Sequence, residues 1–298
     1  MPTTRPRKLS VAGVEVSITV ERLLAERIKR AWINARPGPA SGAPLYRNGA
    51  PVLNGTTVQD IDWYHTLDLG NGVVTPGFVD HREQVAQYQF PASLAGKRCL
   101  DVATFDGFWA FEMEKRGAAE VIAIDLYSRA DCDYPSNWSK EELTPKFRTI
   151  AGTGFAYAKQ ALNSKVQRKV LSVYELSPDV LGTFDFVFMS DLLLHLRDPL
   201  RALESVWSVT RGEALIAECY DGALETTGEL GAMRFVMGAD DYSGYHWWLP
   251  SVSALRAMMT VARFQDVEEV ARFDLAVGAN GILPKVVFRA GHGGGQEA

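Results

Sequence analysis

The segment Arg98-Cys-Leu-Asp-Val-Ala-Thr-Phe-Asp-Gly107 joins a short apolar run to a turn that ends in glycine. The run 98–102 predicts a buried β-strand with Asp101 near its end. Residues 107–116 show helical signals, and Asp106 is predicted to cap the N-terminus of that helix. A strand, a tight turn and a helix in this order are typical of the first unit of an open parallel sheet that binds a ligand.

The alternation of strands and helices continues toward the C-terminus. We predict further strands at 121–125, 167–173, 184–189, 214–218, 265–273 and 284–289, and helices at 153–163, 198–210 and 251–262. This pattern is typical of an α/β fold in which helices cover both faces of a mostly parallel sheet. The sequence therefore predicts one α/β domain over residues 97–290.

The chain outside this domain has a different composition. Apolar residues at helical spacing predict an amphipathic helix over 20–32, whereas the proline- and glycine-rich stretch 36–55 favours an irregular loop. The stretch 63–77 mixes aromatic and turn residues, which suits an ordered cover. We predict an N-terminal helical and loop cover over 1–96 and a disordered glycine-rich tail over 291–298.

Composition and charge exclude several classes of protein. The 298 residues are 47% hydrophobic and 22% charged, which excludes a disordered chain. The net charge of -5 gives no general attraction for nucleic acid. The sequence has neither an apolar run of about 20 residues nor a secretory signal, so a cytoplasmic protein without membrane contact is predicted. The three cysteines are widely spaced, and the histidines lack metal-ligand spacing, so no disulfide framework or metal site is predicted.

Two acidic residues mark the predicted ends of neighbouring strands. Asp101 closes the first strand, and Asp125 closes the second, eighteen positions after Gly107. An acid at the second position commonly binds the hydroxyls of a ribose. A dinucleotide site requires three glycines in the first turn, but Ala103 and Phe105 replace two of them. The pattern favours a nucleoside that carries an amino acid; the alternative is that both acids only end strands and cap turns.

Four segments together carry a resemblance to a known family. They are LDVATFDGFW (100–109), IDL (124–126), FDFVFMSDLLLHLRDP (184–199) and WWLP (247–250). These segments resemble the class I S-adenosylmethionine-dependent methyltransferases, which have a Rossmann-like sheet. Within that class, the chain is most similar to the branch that includes the tRNA wobble-uridine carboxymethyl- and methoxy-forming enzymes.

The resemblance implies a role for individual residues. Asp101 and Gly107 would flank the methionine part of S-adenosylmethionine, and Asp125 would hold the ribose. Tyr174 would lie near the adenine, and Asp191 beside the methyl group that is transferred. The other positions implied in the cofactor site are Ala103, Thr104, Phe105, Leu126 and Ser190.

The sequence departs from the class I family where Ala103 and Phe105 replace the usual glycines, and from the tRNA enzymes at two further places that bear on the cofactor. The carboxymethylating enzymes have a tyrosine immediately before the histidine of the fourth-strand segment, where this chain has Leu194. Their N-terminal lysine motif has no match here. We therefore predict ordinary S-adenosylmethionine as cofactor rather than its carboxylated form.

Histidines supply the predicted general base. His195 follows the fourth strand, at the end of the sheet where the methyl group should lie, and Asp191 is predicted to orient it or to hold the substrate. His246 is predicted as a further catalytic residue, and the adjacent Trp247 and Trp248 are predicted to contact the acceptor. The structural alternatives are that His195 only fixes the following turn and that the tryptophans pack in the core.

His65 lies in the sequence Trp63-Tyr-His65 of the N-terminal cover. We predict that it contacts the substrate as part of a lid.

The sequence thus predicts a methyltransferase that acts on an oxygen of a small metabolite or natural product. A tRNA-modifying enzyme is one rival, supported by the basic residues Arg5, Arg7, Lys8, Lys29 and Arg30 and opposed by the acidic total charge. A binding protein that keeps the cofactor fold without turnover is a second rival. The sequence also leaves a homo-oligomer open.

Overall fold

The structure is a computed structural model, and it describes residues 8–11, 14–17, 46–47, 50–51, 53, 55–127, 131–136, 152–227, 231–236, 246–277 and 281–292. Its main sheet has seven strands: β1 Arg98–Val102, β2 Glu120–Asp125, β3 Gln167–Val170, β4 Phe184–Ser190, β5 Thr210–Cys219, β6 Gln265–Val277 and β7 Gly281–Gly291. The spatial order is β3-β2-β1-β4-β5-β7-β6. Strands β1 to β5 are parallel, and β7 is antiparallel to both β5 and β6. The predicted Rossmann-like class I sheet is confirmed.

Helices lie between these strands. They are α1 Phe108–Lys115, α2 Thr153–Ala161, α3 Pro178–Leu181, α4 Pro199–Val209 and α5 Val252–Val261. Short 3-10 helices span Val58–Asp60, Val85–Tyr88, Val173–Glu175, Leu193–His195 and Gly222–Thr227. Two-stranded ladders pair Lys8–Val11 with Val14–Ser17, Tyr46–Arg47 with Ala50–Pro51, and Met233–Phe235 with Trp248–Pro250.

The sheet buries both faces, as a parallel sheet must. In β4, Phe186 and Phe188 point to one apolar cluster, whereas Val187 and Met189 point to the other. The first cluster contains α1, α2 and the segment 58–94, and the second contains α4 and α5. The apolar run 186–189 of β4 follows from this double burial.

The described part of the predicted cover packs directly into the first cluster. The rings of Tyr88 and Phe90 lie 4.6 and 5.4 Å from that of Trp109, and Tyr88 and Leu94 are fully buried. Val79 forms a β-bridge with Val277, at the end of β6. The predicted helix 20–32 and most of the loop 36–55 lie outside the described residues, as does the tail beyond His292.

Three local predictions meet different outcomes. The prediction of Asp106 as helix cap is wrong, because Gly107 is the N-cap of α1 and the Asp106 carboxylate accepts hydrogen bonds from distant backbone groups. Strand β3 ends at Val170, three residues earlier than predicted, since a capping box starting at Ser172 begins a 3-10 turn. Helix α4 opens as predicted, with Pro199 in its first turn.

The membrane and metal predictions can be compared with the described residues alone. In that part of the chain, every helix is too short or too polar to cross a bilayer. The same residues contain no group of three metal-ligating side chains.

Candidate functional site

The predicted site residues gather at one edge of the sheet, past the carboxyl ends of the parallel strands. Asp101 lies near the end of β1, Asp125 at the end of β2, and Ser190 and Asp191 at the end of β4. Between β1 and β4 the strand order reverses direction, because the chain continues from β1 to β2 on one side and from β4 to β5 on the other. Open α/β sheets bind ligands at such a switch point.

The turn after β1 has a left-handed backbone at every second residue. The φ angles of Ala103, Phe105 and Gly107 are 62°, 52° and 96°. A Cβ atom on Gly107 would lie 2.5 Å from the ring of Phe111, so only glycine fits there. The other two residues adopt a backbone that favours glycine and carry a side chain nonetheless, at a cost of about 1–2 kcal/mol each. The backbone N–H of Thr104, which is buried in this turn, donates to the carbonyl of Ile124.

This strain leads to a first prediction. We expect Ala103→Gly to raise the free energy of unfolding by about 0.5–1 kcal/mol, because the relieved strain exceeds the entropy that glycine adds to the unfolded chain. The matched control is Ala156→Gly within α2, where the backbone is helical and the change should cost about 1 kcal/mol. Urea denaturation of both variants measures the difference, and losses of equal size would contradict the strain at Ala103.

Asp101 has the character of a cation-binding acid. It is 2% exposed, and its Oδ2 atom has no hydrogen-bond partner. Burial raises its pKa to about 7. A buried carboxylate with an open oxygen is unfavourable alone and gains from a cationic partner. The amino group of an amino-acid ligand meets this requirement.

Asp125 connects the turn after β1 to a neighbouring cleft. Its Oδ2 accepts a hydrogen bond from the Phe105 backbone (2.8 Å), and its Oδ1 accepts one from the Leu126 backbone (2.7 Å). The cleft, of about 390 Å³, lies past the ends of β2 and β3 and is lined by Leu126, Val170 and Leu171 among others. The roles of Asp101 and Asp125 in binding a cofactor stay predictions.

Tyr174 faces a different set of partners from the one implied for it. It lies in the 3-10 turn after β3, and its hydroxyl donates to Asp133 (2.6 Å) and accepts from the backbone N–H of Asp198 (3.2 Å). Burial raises the pKa of this hydroxyl, as does the bond to Asp133. The described contacts link Tyr174 to the start of α4, and its role near the adenine stays a prediction.

A buried ion pair lies where β4 and β5 end, beside the first half of β7. The fully buried Lys285 donates from Nζ to Asp191 Oδ1 at 2.5 Å, and Cys219 Sγ donates to the same oxygen at 3.1 Å. Ser190 Oγ donates to the other oxygen at 3.3 Å. Burial alone would raise the pKa of Asp191, but the Lys285 ammonium lowers it below its usual value. Asp191 has a φ of 52°, so this pair holds a strained residue beside the switch point.

Glu218 supports the same region from β5. It is 2% exposed, and its Oε1 accepts hydrogen bonds from the backbone N–H groups of Leu192 and Leu193, both at 3.0 Å. Burial, reinforced by the nearby charge of Asp191, raises the pKa of Glu218 to about 8. This side chain therefore positions the start of the 3-10 turn that carries His195.

His195 and His246 meet beside Asp191. Their ring centroids are 4.9 Å apart, although the residues are 51 positions apart in the sequence. Burial lowers the pKa of His246 to about 3, with a further contribution from His195, so His246 is neutral at pH 7. When His195 is protonated, its charge in turn lowers the pKa of Asp191. The structure thus brings the three predicted catalytic residues into one cluster.

The two predicted aromatic contacts have separate roles in the fold. Trp247 donates from its backbone to the carbonyl of Leu194 (2.7 Å) and from its indole to the carbonyl of Asp133 (2.6 Å), which fixes the adjacent His246. Trp248 lies in the short ladder, 5.2 Å from the ring of Phe235, and its buried indole N–H has no hydrogen-bond partner. Contact of either residue with an acceptor stays a prediction.

His65 and Tyr64 connect the N-terminal segment to the turn after β1. His65 is buried, contacts Asp106 through Nδ1, and lies 5.3 Å from the ring of His81. The neighbouring Tyr64 ring lies 5.3 Å from that of Phe105. Asp106 accepts the backbone N–H groups of both Tyr64 (2.8 Å) and His65 (2.9 Å).

Sequence reasoning missed Lys285, Glu218 and Tyr64. Lys285 follows Pro284 and precedes Val286 and Val287, and a charged residue in an apolar strand is a signal of a buried pair. Glu218 closes an apolar run in the same way. Nothing in the sequence around Tyr64, apart from its aromatic neighbours, indicated a role in the site, because its partner Phe105 is far away in the sequence.

Comparisons with known proteins add an independent finding. A family model described as a methyltransferase domain matches residues 80–269. Two similar relatives are both named tRNA U34 carboxymethyltransferase. The one from Ectopseudomonas mendocina (strain ymp) is 28% identical over 177 residues, which cover 58% of this chain and 47% of the relative. The one from Campylobacter hominis is 25% identical over 180 residues, which cover 60% and 54%.

The chain spans about half the length of the curated relatives it matches. Among solved structures, the N-terminal domain of EvdMO1, crystallised in the presence of SAH and D-fucose, aligns with a TM-score of 0.50 and 16% identity. The alignment covers 76% of this chain and 91% of that domain. At this identity, the likeness shows a shared fold alone.

Proposed function

Because the chain belongs to the methyltransferase-domain family, with the class I fold of S-adenosylmethionine-dependent methyltransferases, we propose that it methylates an oxygen of a small metabolite or natural product. The observation that carries the proposal is the pair of rings of His195 and His246, 4.9 Å apart at the switch point beside Asp191. An oxygen acceptor must lose a proton during methylation, and histidine is the most common general base.

The residues around the switch point would hold the cofactor. Asp101 would pair with the methionine ammonium, and Asp125 would accept from the ribose hydroxyls. Gly107 lets the turn pack closely against Phe111 and Phe155, and Leu126 would contact the base in the adjoining cleft. When bound, S-adenosylmethionine supplies an electrophilic methyl group, and the reaction leaves S-adenosylhomocysteine.

The histidine cluster would handle the acceptor proton. We assign the base to His195, since the low pKa of His246 makes that ring a poor proton acceptor. Asp191 is occupied by Lys285 and Cys219, so it orients the cluster and stabilises a protonated His195 through its charge. Tyr64 on one side and the ladder that carries Trp248 on the other would limit the entry of water.

The names of the similar relatives favour a second candidate, modification of a tRNA wobble uridine. The net charge of -5 disfavours binding of a polyanion such as tRNA, and Leu194 replaces the tyrosine of the carboxymethylating tRNA enzymes. A tRNA substrate would show a steep loss of affinity between 50 and 200 mM salt, because phosphate contacts release counterions (a loss of roughly 10³-fold or more). A small neutral acceptor would show little dependence on salt.

Calorimetric titration with S-adenosylmethionine, S-adenosylhomocysteine and carboxy-S-adenosylmethionine tests the cofactor. We expect the first two to bind and the third to bind more weakly. Transfer of a labelled methyl group to a panel of sugars and phenols, with unmodified tRNA alongside, then tests the acceptor. Label in tRNA alone would overturn the small-molecule proposal, and no binding of any cofactor would favour a protein without turnover.

The role of His195 gives a second prediction. We expect His195→Ala to lower turnover by about 100-fold or more while the affinity for S-adenosylmethionine changes less than 2-fold, because only the proton acceptor is lost. The control is His292→Ala, whose ring stacks on Trp207 outside the site and whose loss should leave turnover unchanged. Equal losses of stability and turnover in His195→Ala would indicate a structural role instead.

A further inference from the structure

The rings of Tyr64 and Phe105 form a pair on the turn after β1. Their centroids lie 5.3 Å apart with the planes tilted by 45°. Each residue is fixed through its backbone N–H, which donates to Asp106 in the case of Tyr64 and to Asp125 in the case of Phe105, both at 2.8 Å. The position of the pair is therefore set by two carboxylates and does not depend on flexible side chains.

The pair extends from the ribose side of the site to the methyl side. Phe105 is bonded to Asp125, the acid assigned to the ribose. Tyr64 is half-buried, burial raises the pKa of its hydroxyl well above the usual value, and the charges of Asp191 and Lys285 act on that hydroxyl. In a nucleoside that carries methionine, the sulfur lies between the ribose and the amino acid. The two rings thus lie along the stretch of the site where that sulfur would be held.

Phe105 keeps its ring at a conformational cost. Its φ of 52° favours glycine, and the resemblance to class I methyltransferases implies a glycine at this position. Non-glycine residues in the left-handed region cluster at functional sites, where the strain is compensated by surrounding contacts. A costly aromatic side chain at this position calls for a role of the ring itself.

We propose that Tyr64 and Phe105 contact the sulfonium of S-adenosylmethionine through their ring faces and so select the cationic cofactor over the neutral S-adenosylhomocysteine. The inference rests on the proposed function and adds residues that determine cofactor selection. A sulfonium carries a full positive charge spread over its carbon substituents, and such cations are attracted to the negative faces of aromatic rings. S-adenosylhomocysteine has no such charge, so the same rings offer it only apolar contact.

Isothermal titration calorimetry of both ligands at pH 7.5 tests this role without any acceptor. We expect Tyr64→Leu to weaken S-adenosylmethionine about 5- to 30-fold more than S-adenosylhomocysteine, the range of a partly to fully desolvated cation–π contact. Tyr64→Phe keeps the ring and should keep the wild-type ratio of the two affinities. The control Tyr157→Leu removes a ring that packs 6.1 Å from Trp63 and should leave the ratio unchanged.

Phe105→Gly supplies a variant that does not depend on the folding of Tyr64→Leu. We expect it to unfold at a higher urea concentration than the wild type and yet to lose part of its preference for S-adenosylmethionine. A gain in stability together with a loss of preference separates ligand contact from simple packing. Packing alone would lower both affinities together.

Two results would overturn the proposal. One is an equal loss of both affinities in Tyr64→Leu and an unchanged ratio in Phe105→Gly. The other is a loss in Tyr64→Phe as large as that in Tyr64→Leu, which would assign the effect to the hydroxyl. Failure of the wild type to bind either ligand would instead refute the proposed function.

Discussion

Lys285→Met is expected to lower the free energy of unfolding at pH 7 by about 3–5 kcal/mol, because it leaves a buried carboxylate without its counter-ion. Lys285 is fully buried and donates to Asp191 at 2.5 Å and to the carbonyl of Ala217 at 3.3 Å. Methionine has a similar length and fills the same space, so the loss reports the charge and not a cavity. Urea denaturation measures the change.

Two controls separate the buried pair from a general effect of losing a cation. The double variant Asp191→Asn/Lys285→Met removes both charges and should recover most of the lost stability. Arg82→Met breaks the pair of Arg82 and Asp80, whose side chains are 40% and 43% exposed, and should cost less than about 1 kcal/mol. A loss in the double variant as large as in Lys285→Met would contradict the ion-pair explanation.

The stability difference between Lys285→Met and the wild type should depend on pH. In the wild type the pKa of Asp191 is lowered, so its stabilising contribution is present above the unfolded pKa of about 3.9 and is lost as pH falls through the native value. In Lys285→Met, burial and the nearby Glu218 should instead raise the pKa of Asp191. The deficit of the variant relative to the wild type should then be smallest near pH 4 and grow up to pH 8. A deficit that is constant across this range would count against the buried carboxylate.

The sheet could be predicted from the sequence because its signals are local. The apolar run of β4 and the turn 103–107 each fix one element through neighbouring residues, and the class I methyltransferase membership predicted from them is confirmed. The assignment of Asp101 and Asp125 to strand ends needed only the strand boundaries. The hydrophobic pattern alone therefore predicted that these two acids lie at one edge of the sheet.

The contacts that shape the site are not local, and this is why they were missed. Lys285 and Asp191 are 94 positions apart, and Asp106 lies 42 positions from Tyr64. A capping role was the obvious local prediction for Asp106, but its carboxylate instead satisfies two backbone groups of another segment. No local sequence pattern predicts which distant donor will form a hydrogen bond with a buried acid.

The attachment of the N-terminal segment gives the second large effect. We expect Asp106→Ala to lower the free energy of unfolding by about 3–5 kcal/mol, because two buried backbone N–H groups and the His65 ring lose their charged acceptor. Asp106 is 1% exposed, and its Cβ position is close to Gly154, so the environment has little room to supply replacement water. The control Asp68→Ala removes one bond to Gly70 in an exposed turn and should cost at most about 1 kcal/mol.

Amide hydrogen exchange distinguishes this attachment from a general loss of stability. Under native conditions the amides of Tyr64 and His65 should exchange much faster in Asp106→Ala, whereas those of β4, in the centre of the sheet, should follow only the global change. Because Asp106 fixes the backbone of Tyr64 beside Phe105, the variant should also weaken S-adenosylmethionine binding. Unchanged exchange at Tyr64 and His65 would mean that the other contacts of the segment 58–94 hold it without Asp106. Local opening at these two residues would instead show that the Asp106 carboxylate holds the N-terminal segment against the turn after β1.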